Sequence, residues 1–113
     1  LVMSVGASSQ TDARPGFSNR GSCVSISAPG VNVPGADNTN DNALQSQSGT
    51  SMATPLVSGV AALVLDQNTA LTVSQVVSLI KTDWCTRNVV TGTTAEGGGR
   101  NLLFSRIVYN AEA

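Results

Sequence analysis

Ser48-Gly49-Thr50-Ser51-Met52-Ala53-Thr54-Pro55 is the stretch on which the reading of this chain turns. Before it, from Asn32 to Ser48, the sequence is rich in Asn, Asp, Gln, Gly and Ser, which suits an exposed loop with room for short strands. After it, the apolar residues Met52, Ala53, Leu56, Val57, Val60, Ala61, Ala62, Leu63, Val64 and Leu65 cover nearly the whole circumference of a helix over Ser51 to Asp66. A helix apolar on every side is expected at the centre of a core. Pro55 fits such a helix only near its start, where a missing N–H removes little bonding.

A serine at this junction has two readings. Its Oγ sits where unpaired amides and the positive end of the helix dipole favour developing negative charge. Gly49, without a side chain, lets another backbone approach closely. Together these suit an acyl-transfer nucleophile. Alternatively, Ser51 or Thr50 caps the helix, the usual role of hydroxyl residues there.

Working outward, Leu1 to Ala7 is expected to be a short buried strand ending at Gly6, and Arg14-Pro15-Gly16 marks a turn. Cys23-Val24-Ser25-Ile26-Ser27-Ala28 alternates apolar and polar, predicting a second strand with one buried face, terminated by Pro29 and Gly30. Thr72-Val73-Ser74-Gln75 has the form of a capping box. Val73, Val76, Val77 and Ile80 then give one apolar stripe on a second helix. Asn88 to Gly99 is expected to be a loop, and Leu102 to Tyr109 a short apolar closing segment. These elements are too few to surround an all-apolar helix, so its missing neighbours are expected outside this chain. The opening Leu1-Val2-Met3-Ser4-Val5-Gly6, with neither an initiator methionine nor a charged leader, also reads as the middle of something longer.

The composition narrows the function classes. The chain has 113 residues, 41% hydrophobic and 12% charged, as expected for one globular domain. A net charge of −1 gives no preference for nucleic acid or an anionic membrane. The aromatic residues Phe17, Trp84, Phe104 and Tyr109 lie in no basic stretch that would stack bases. The weakly polar run Met52 to Leu65 falls short of the roughly 20 residues that span a bilayer. Cys23 and Cys85 are too few for a metal site without histidine, of which there is none. They are left to bridge each other, stay free, or pair with a residue outside the chain.

Gly49-Thr50-Ser51-Met52-Ala53-Thr54-Pro55, continuing as Val57-Ser58-Gly59-Val60-Ala61-Ala62-Leu63, resembles the active-site serine motif of the subtilisin-like serine proteases, the subtilases or peptidase family S8. Ser4-Val5-Gly6-Ala7, Phe17-Ser18-Asn19 with Gly21, and Ala28-Pro29-Gly30 match further landmarks of that family in order. Arg100-Asn101-Leu102-Leu103-Phe104-Ser105 is similar to the closing segment of the proteinase K-like branch. The resemblance implies an α/β fold, a parallel sheet flanked by helices, with residues 1–113 forming the C-terminal part of a catalytic domain. It implies Ser51 as nucleophile, with Gly49 and Thr50 binding substrate beside the scissile bond of a polypeptide.

In that family the triad order is Asp, His, Ser. The resemblance therefore puts the aspartate, the histidine and an oxyanion-hole asparagine in an N-terminal remainder upstream of Leu1. Asp12, Asp37, Asp41, Asp66 and Asp83 do not take the family's Asp position; Asp12 is read as a turn residue and Asp66 as a surface charge at a helix end. Leu56 replaces the histidine that usually follows the motif's proline, a change bearing on packing rather than mechanism. No organic cofactor is implied. Calcium occurs in the family, but Ser25 stands where an aspartate ligand is expected, so no metal site is carried over. Cys23 matches a half-cystine whose partner in some relatives lies upstream. The resemblance also implies secretion, with neither nucleic acid nor membrane as partner. The competing expectation is a non-catalytic module or interaction surface, inactive as it stands; a third is the serine-bearing half of a cleaved protease.

Overall fold

The computed structural model describes residues 2–92, 99 and 101–103. The elements run β1 (Ser4–Ser8), β2 (Val24–Pro29), β3 (Val33–Ala36), β4 (Leu44–Gln47), α1 (Thr50–Gln67), α2 (Val73–Thr82), β5 (Cys85–Thr86) and β6 (Leu102–Leu103). Four strands form one sheet in the order β1-β2-β6-β5, with β1, β2 and β6 parallel and β5 antiparallel to β6. This is the α/β architecture with a parallel sheet that the sequence predicts. Strands β3 and β4 pair separately as an antiparallel hairpin, Val33 opposite Gln47 and Ala36 opposite Leu44.

Parallel neighbours cannot be joined by a tight turn, and each connection here is long. Ser9 to Cys23 links β1 to β2 as a loop, in which Asp12 takes a left-handed turn conformation and its amide donates to Ser9 O at 3.1 Å. The hairpin and both helices lie between β2 and the antiparallel pair. Both helices pack on the sheet: Val5 and Ala7 of β1 and Ile26 and Ala28 of β2 meet Ala53, Val57, Val60 and Val64 of α1, with Val76 and Ile80 of α2 closing the cluster. Every one of these residues is buried, and small side chains (Ala7, Ala28, Ala53) let α1 lie close to the strands.

Several expectations need correction. Within this chain helix α1 buries one stripe, while Leu56, Leu63 and Leu65 remain 38%, 36% and 39% exposed, the faces whose neighbours the sequence reading puts outside the chain. One sheet and one helix can cover only one face of it. In α2, Val76 and Ile80 are buried but Val73 is 66% exposed. Strand β1 runs two residues past Gly6, and β2 buries Ser27 as well as its apolar face. The polar stretch before Ser48 does hold short strands, paired as a regular hairpin, whereas β5 was not foreseen. Of the closing segment Leu102 to Tyr109, only Leu102 and Leu103 belong to the described residues. Among the described residues, no helix is long and apolar enough to cross a membrane.

Candidate active site

The chain reaches Ser51 from the hairpin. Strand β4 ends at Gln47, Ser48 and Gly49 turn the backbone, and α1 begins at Thr50. Gly49 is the residue before the helix, with φ 157° and ψ 161°. That region is open essentially to glycine alone, so Gly49 is required for its backbone conformation. Its carbonyl accepts the Met52 amide at 3.0 Å and opens the helix.

Two ties hold this turn to the end of β2. The Gly49 amide donates to Gly30 O at 2.8 Å, and Ser48 Oγ accepts the Asn32 amide at 2.9 Å. Gly30 in turn donates its amide to Ser8 O at 3.0 Å, at the end of β1. The carboxyl ends of two parallel strands thus converge directly beneath the start of α1.

Ser51 stands in the first turn, exposed, and among the described residues its hydroxyl has no hydrogen-bond partner. The capping alternative is not what the geometry contains. Thr50 and Ser51 are inside the helix, the capping position belongs to Gly49, and Ser48 spends its hydroxyl on Asn32. Apart from the Met52 amide, which Gly49 O accepts, the first-turn amides have no carbonyl one turn back, and no acidic residue lies in that turn to neutralise them. The arrangement presents a free hydroxyl and the positive end of a helix to one side. Pro55, the sixth helical residue, gives no amide to the Ser51 carbonyl, and the helix continues because its other bonds are kept. The Thr54 hydroxyl donates to Thr50 O at 2.9 Å in the same turn.

Gly49, Thr50 and Ser51 are therefore contiguous on one turn. The described residues bring no carboxylate or imidazole to this turn as a fixed partner. Among them there is also no group of three or more His, Cys, Asp or Glu able to hold a metal ion. The Ser25 hydroxyl accepts the Ser4 amide at 3.3 Å, and Asp37 Oδ2 accepts the Thr39 hydroxyl at 2.8 Å. Cys23 and Cys85 are both free thiols. Sequence reasoning missed the parts played by Gly30, Asn32 and Ser48. The signal available was Ala28-Pro29-Gly30, read as the end of a strand and as a family landmark but not as a support for the serine turn.

The family model described as "Subtilase family" (Peptidase_S8) matches residues 1–104. The chain is 45% identical over 103 residues to alkaline serine exoprotease A of Vibrio alginolyticus, covering 91% of this chain and 18% of that protein. It is 46% identical over 89 residues to the extracellular serine proteinase of a Thermus species, covering 79% and 22%. A solved structure of a cold-adapted subtilisin-like serine proteinase superposes with a TM-score of 0.81 at 42% identity, over 91% of this chain and 36% of that one. The chain thus spans well under half the length of these relatives. On its matched length, its serine-bearing turn and its parallel sheet, it belongs to the subtilase family.

Proposed function

We propose that residues 1–113 are the C-terminal portion of a secreted subtilisin-like endopeptidase domain, with Ser51 as its nucleophile. Gly49 and Thr50 line the approach of a polypeptide's scissile bond. The observation that carries this reading is the state of Ser51: exposed, unpartnered among the described residues, and in the first turn of α1 rather than capping it. The names of the relatives support proteolysis and an extracellular location.

In the reaction this implies, Ser51 Oγ attacks the scissile carbonyl carbon while a histidine outside this chain takes the hydroxyl proton. The oxyanion is stabilised by the Ser51 amide and by an asparagine from the same remainder. Collapse breaks the C–N bond, the histidine returns the proton to the leaving amine, and water hydrolyses the acyl ester. Loss of one triad member costs such enzymes several orders of magnitude, so the 113-residue chain alone is expected to show no measurable turnover.

The test is labelling with a serine-directed fluorophosphonate, first on the chain alone and then on a polypeptide extended upstream to include the matching remainder. The extended protein should be labelled at Ser51 and lose all labelling in Ser51→Ala. An unlabelled Ser51 in a folded extended protein sinks the reading. It would favour the second possibility, a non-catalytic interaction module, which the absence of histidine from the chain keeps in play.

A further inference from the structure

We propose that the turn Gly30-Val31-Asn32 is the platform that positions Ser51, with Gly30 fixing the height of the serine-bearing turn through its lack of a side chain. The inference rests on the reading of Ser51 as the nucleophile.

Gly30 is buried where three backbone segments meet. Its amide reaches Ser8 O at 3.0 Å and its carbonyl receives the Gly49 amide at 2.8 Å. A Cβ built on Gly30 would stand 2.6 Å from Ala7 Cβ, 2.8 Å from Gly49 O and 3.4 Å from Ala53 Cβ. The backbone of Gly30 lies outside the left-handed region, so what the position demands is space and not a special dihedral. All three neighbours are rigid: a peptide carbonyl, and two alanine methyls buried in the core with no rotamer to change.

The carbonyl that would be struck, Gly49 O, is the one that accepts Met52 N and opens α1. Pushing it aside reorients the peptide leading into Thr50 and Ser51, so the Ser51 hydroxyl and amide move together. A second tie enters from the same turn, where Asn32 adopts φ 51° and aims its amide at Ser48 Oγ. Asparagine is among the few residues that visit this conformation readily. The turn thus grips the chain at Ser48 and Gly49, immediately before the nucleophile. A displacement near 1 Å at a reacting atom is worth up to ~100-fold in rate.

The experiment uses the whole protease polypeptide carrying this chain, with active sites titrated by fluorophosphonate so that rates are expressed per competent site. Gly30→Ala is expected to lower kcat per titrated site by about 10- to 100-fold and slow the labelling rate in parallel, with KM changed less than about twofold. Ser48→Ala, which removes an exposed tie without adding bulk, is expected to lower kcat severalfold at an unchanged melting temperature. A purely structural role would reduce the number of titrated sites and leave kcat per site alone, and that result overturns the proposal. If Gly30→Ala gives no soluble protein, Ser48→Ala decides: an unchanged kcat per site overturns it. A folded parent that is not labelled at Ser51 overturns the nucleophile reading and this inference with it, whereas a labelled parent with unaffected variants defeats this inference alone.

Discussion

The amide of Ala7 donates to the Ser18 hydroxyl at 2.8 Å, in a buried bond that joins the middle of β1 to the loop following it. Asn19 Nδ2 reaches Val5 O at 3.3 Å beside it. Ser8, one residue on, turns its carbonyl toward Gly30 at the β2 side. By the alternation of a strand, Val5 and Ala7 turn their polar groups to the other edge, where β1 has no neighbouring strand among the described residues. Ser18 and Asn19 therefore do for that edge what a further strand would do. Ser18→Ala leaves a buried N–H unpaired and is expected to cost about 1–3 kcal/mol. Urea denaturation of the chain measures it, and a loss below about 0.5 kcal/mol would contradict the role assigned to Ser18.

Ser8 should respond with the opposite sign. Its hydroxyl is buried and, among the described residues, has no partner. Its backbone carbonyl, which Gly30 uses, is untouched by a change of side chain. Ser8→Ala removes a desolvated polar atom and nothing else, so the chain is expected to gain up to about 1 kcal/mol. Measured beside Ser18→Ala, it separates a hydroxyl that works from one that does not.

Helix α2 begins with a reciprocal cap. Gln75 N donates to Thr72 Oγ1 at 3.2 Å, and Thr72 N donates to Gln75 Oε1 at 2.8 Å. Thr72→Ala removes the side-chain acceptor and should cost about 1 kcal/mol, while Thr72→Ser should cost only a few tenths. Amide hydrogen exchange gives the local readout: Gln75 should lose protection in the alanine variant and keep it in the serine one.

Cys85 is held toward its neutral form. Burial against the α2 end raises its pKa, and nearby Asp83 adds to the rise; Arg87 opposes it without cancelling it. The thiol donates to Lys81 O at 3.1 Å, a bond the thiolate cannot make. Alkylation by iodoacetamide should therefore reach half its limiting rate at a higher pH in the folded chain than in urea. The linkage has a definite sign. The folded state holds the proton more tightly, so this stability is complete below the ordinary thiol pKa and is lost as pH rises through the folded value. A Cys85→Ser variant should flatten that alkaline decline.

The sequence made the local elements legible where one residue pattern had one physical meaning. The capping box over Thr72 to Gln75 is such a case, since the side chains that satisfy the amides lie within the same turn. The alternation in β2 and the turn at Asp12 are others. What covers the apolar circumference of α1 was not legible in the helix itself, because it depends on other segments. The sheet order, which places β6 beside β2, joins residues some 75 positions apart and has no local signature. The serine turn was found through its motif, but its supports were not. Gly30 and Asn32 act through backbone atoms, which carry no residue-type signal beyond an absent side chain and a left-handed asparagine.

Gly49 provides the contrast that separates conformation from space. A Cβ there would meet nothing nearer than Ser51 N at 3.7 Å, so no clash forbids a side chain. The backbone does, because φ 157° with ψ 161° is strained for any L-residue, by about 1–3 kcal/mol. Gly35, in β3, likewise has nothing within 4 Å, but its φ is not positive. Gly49→Ala should therefore destabilise the chain by roughly that strain, whereas Gly35→Ala should stabilise it by about 0.4–1 kcal/mol through a less free unfolded chain. The pair is compared by denaturation under one set of conditions. Equal effects would mean that Gly49 is present for access alone, and that the backbone bend before Ser51 could be made by any residue.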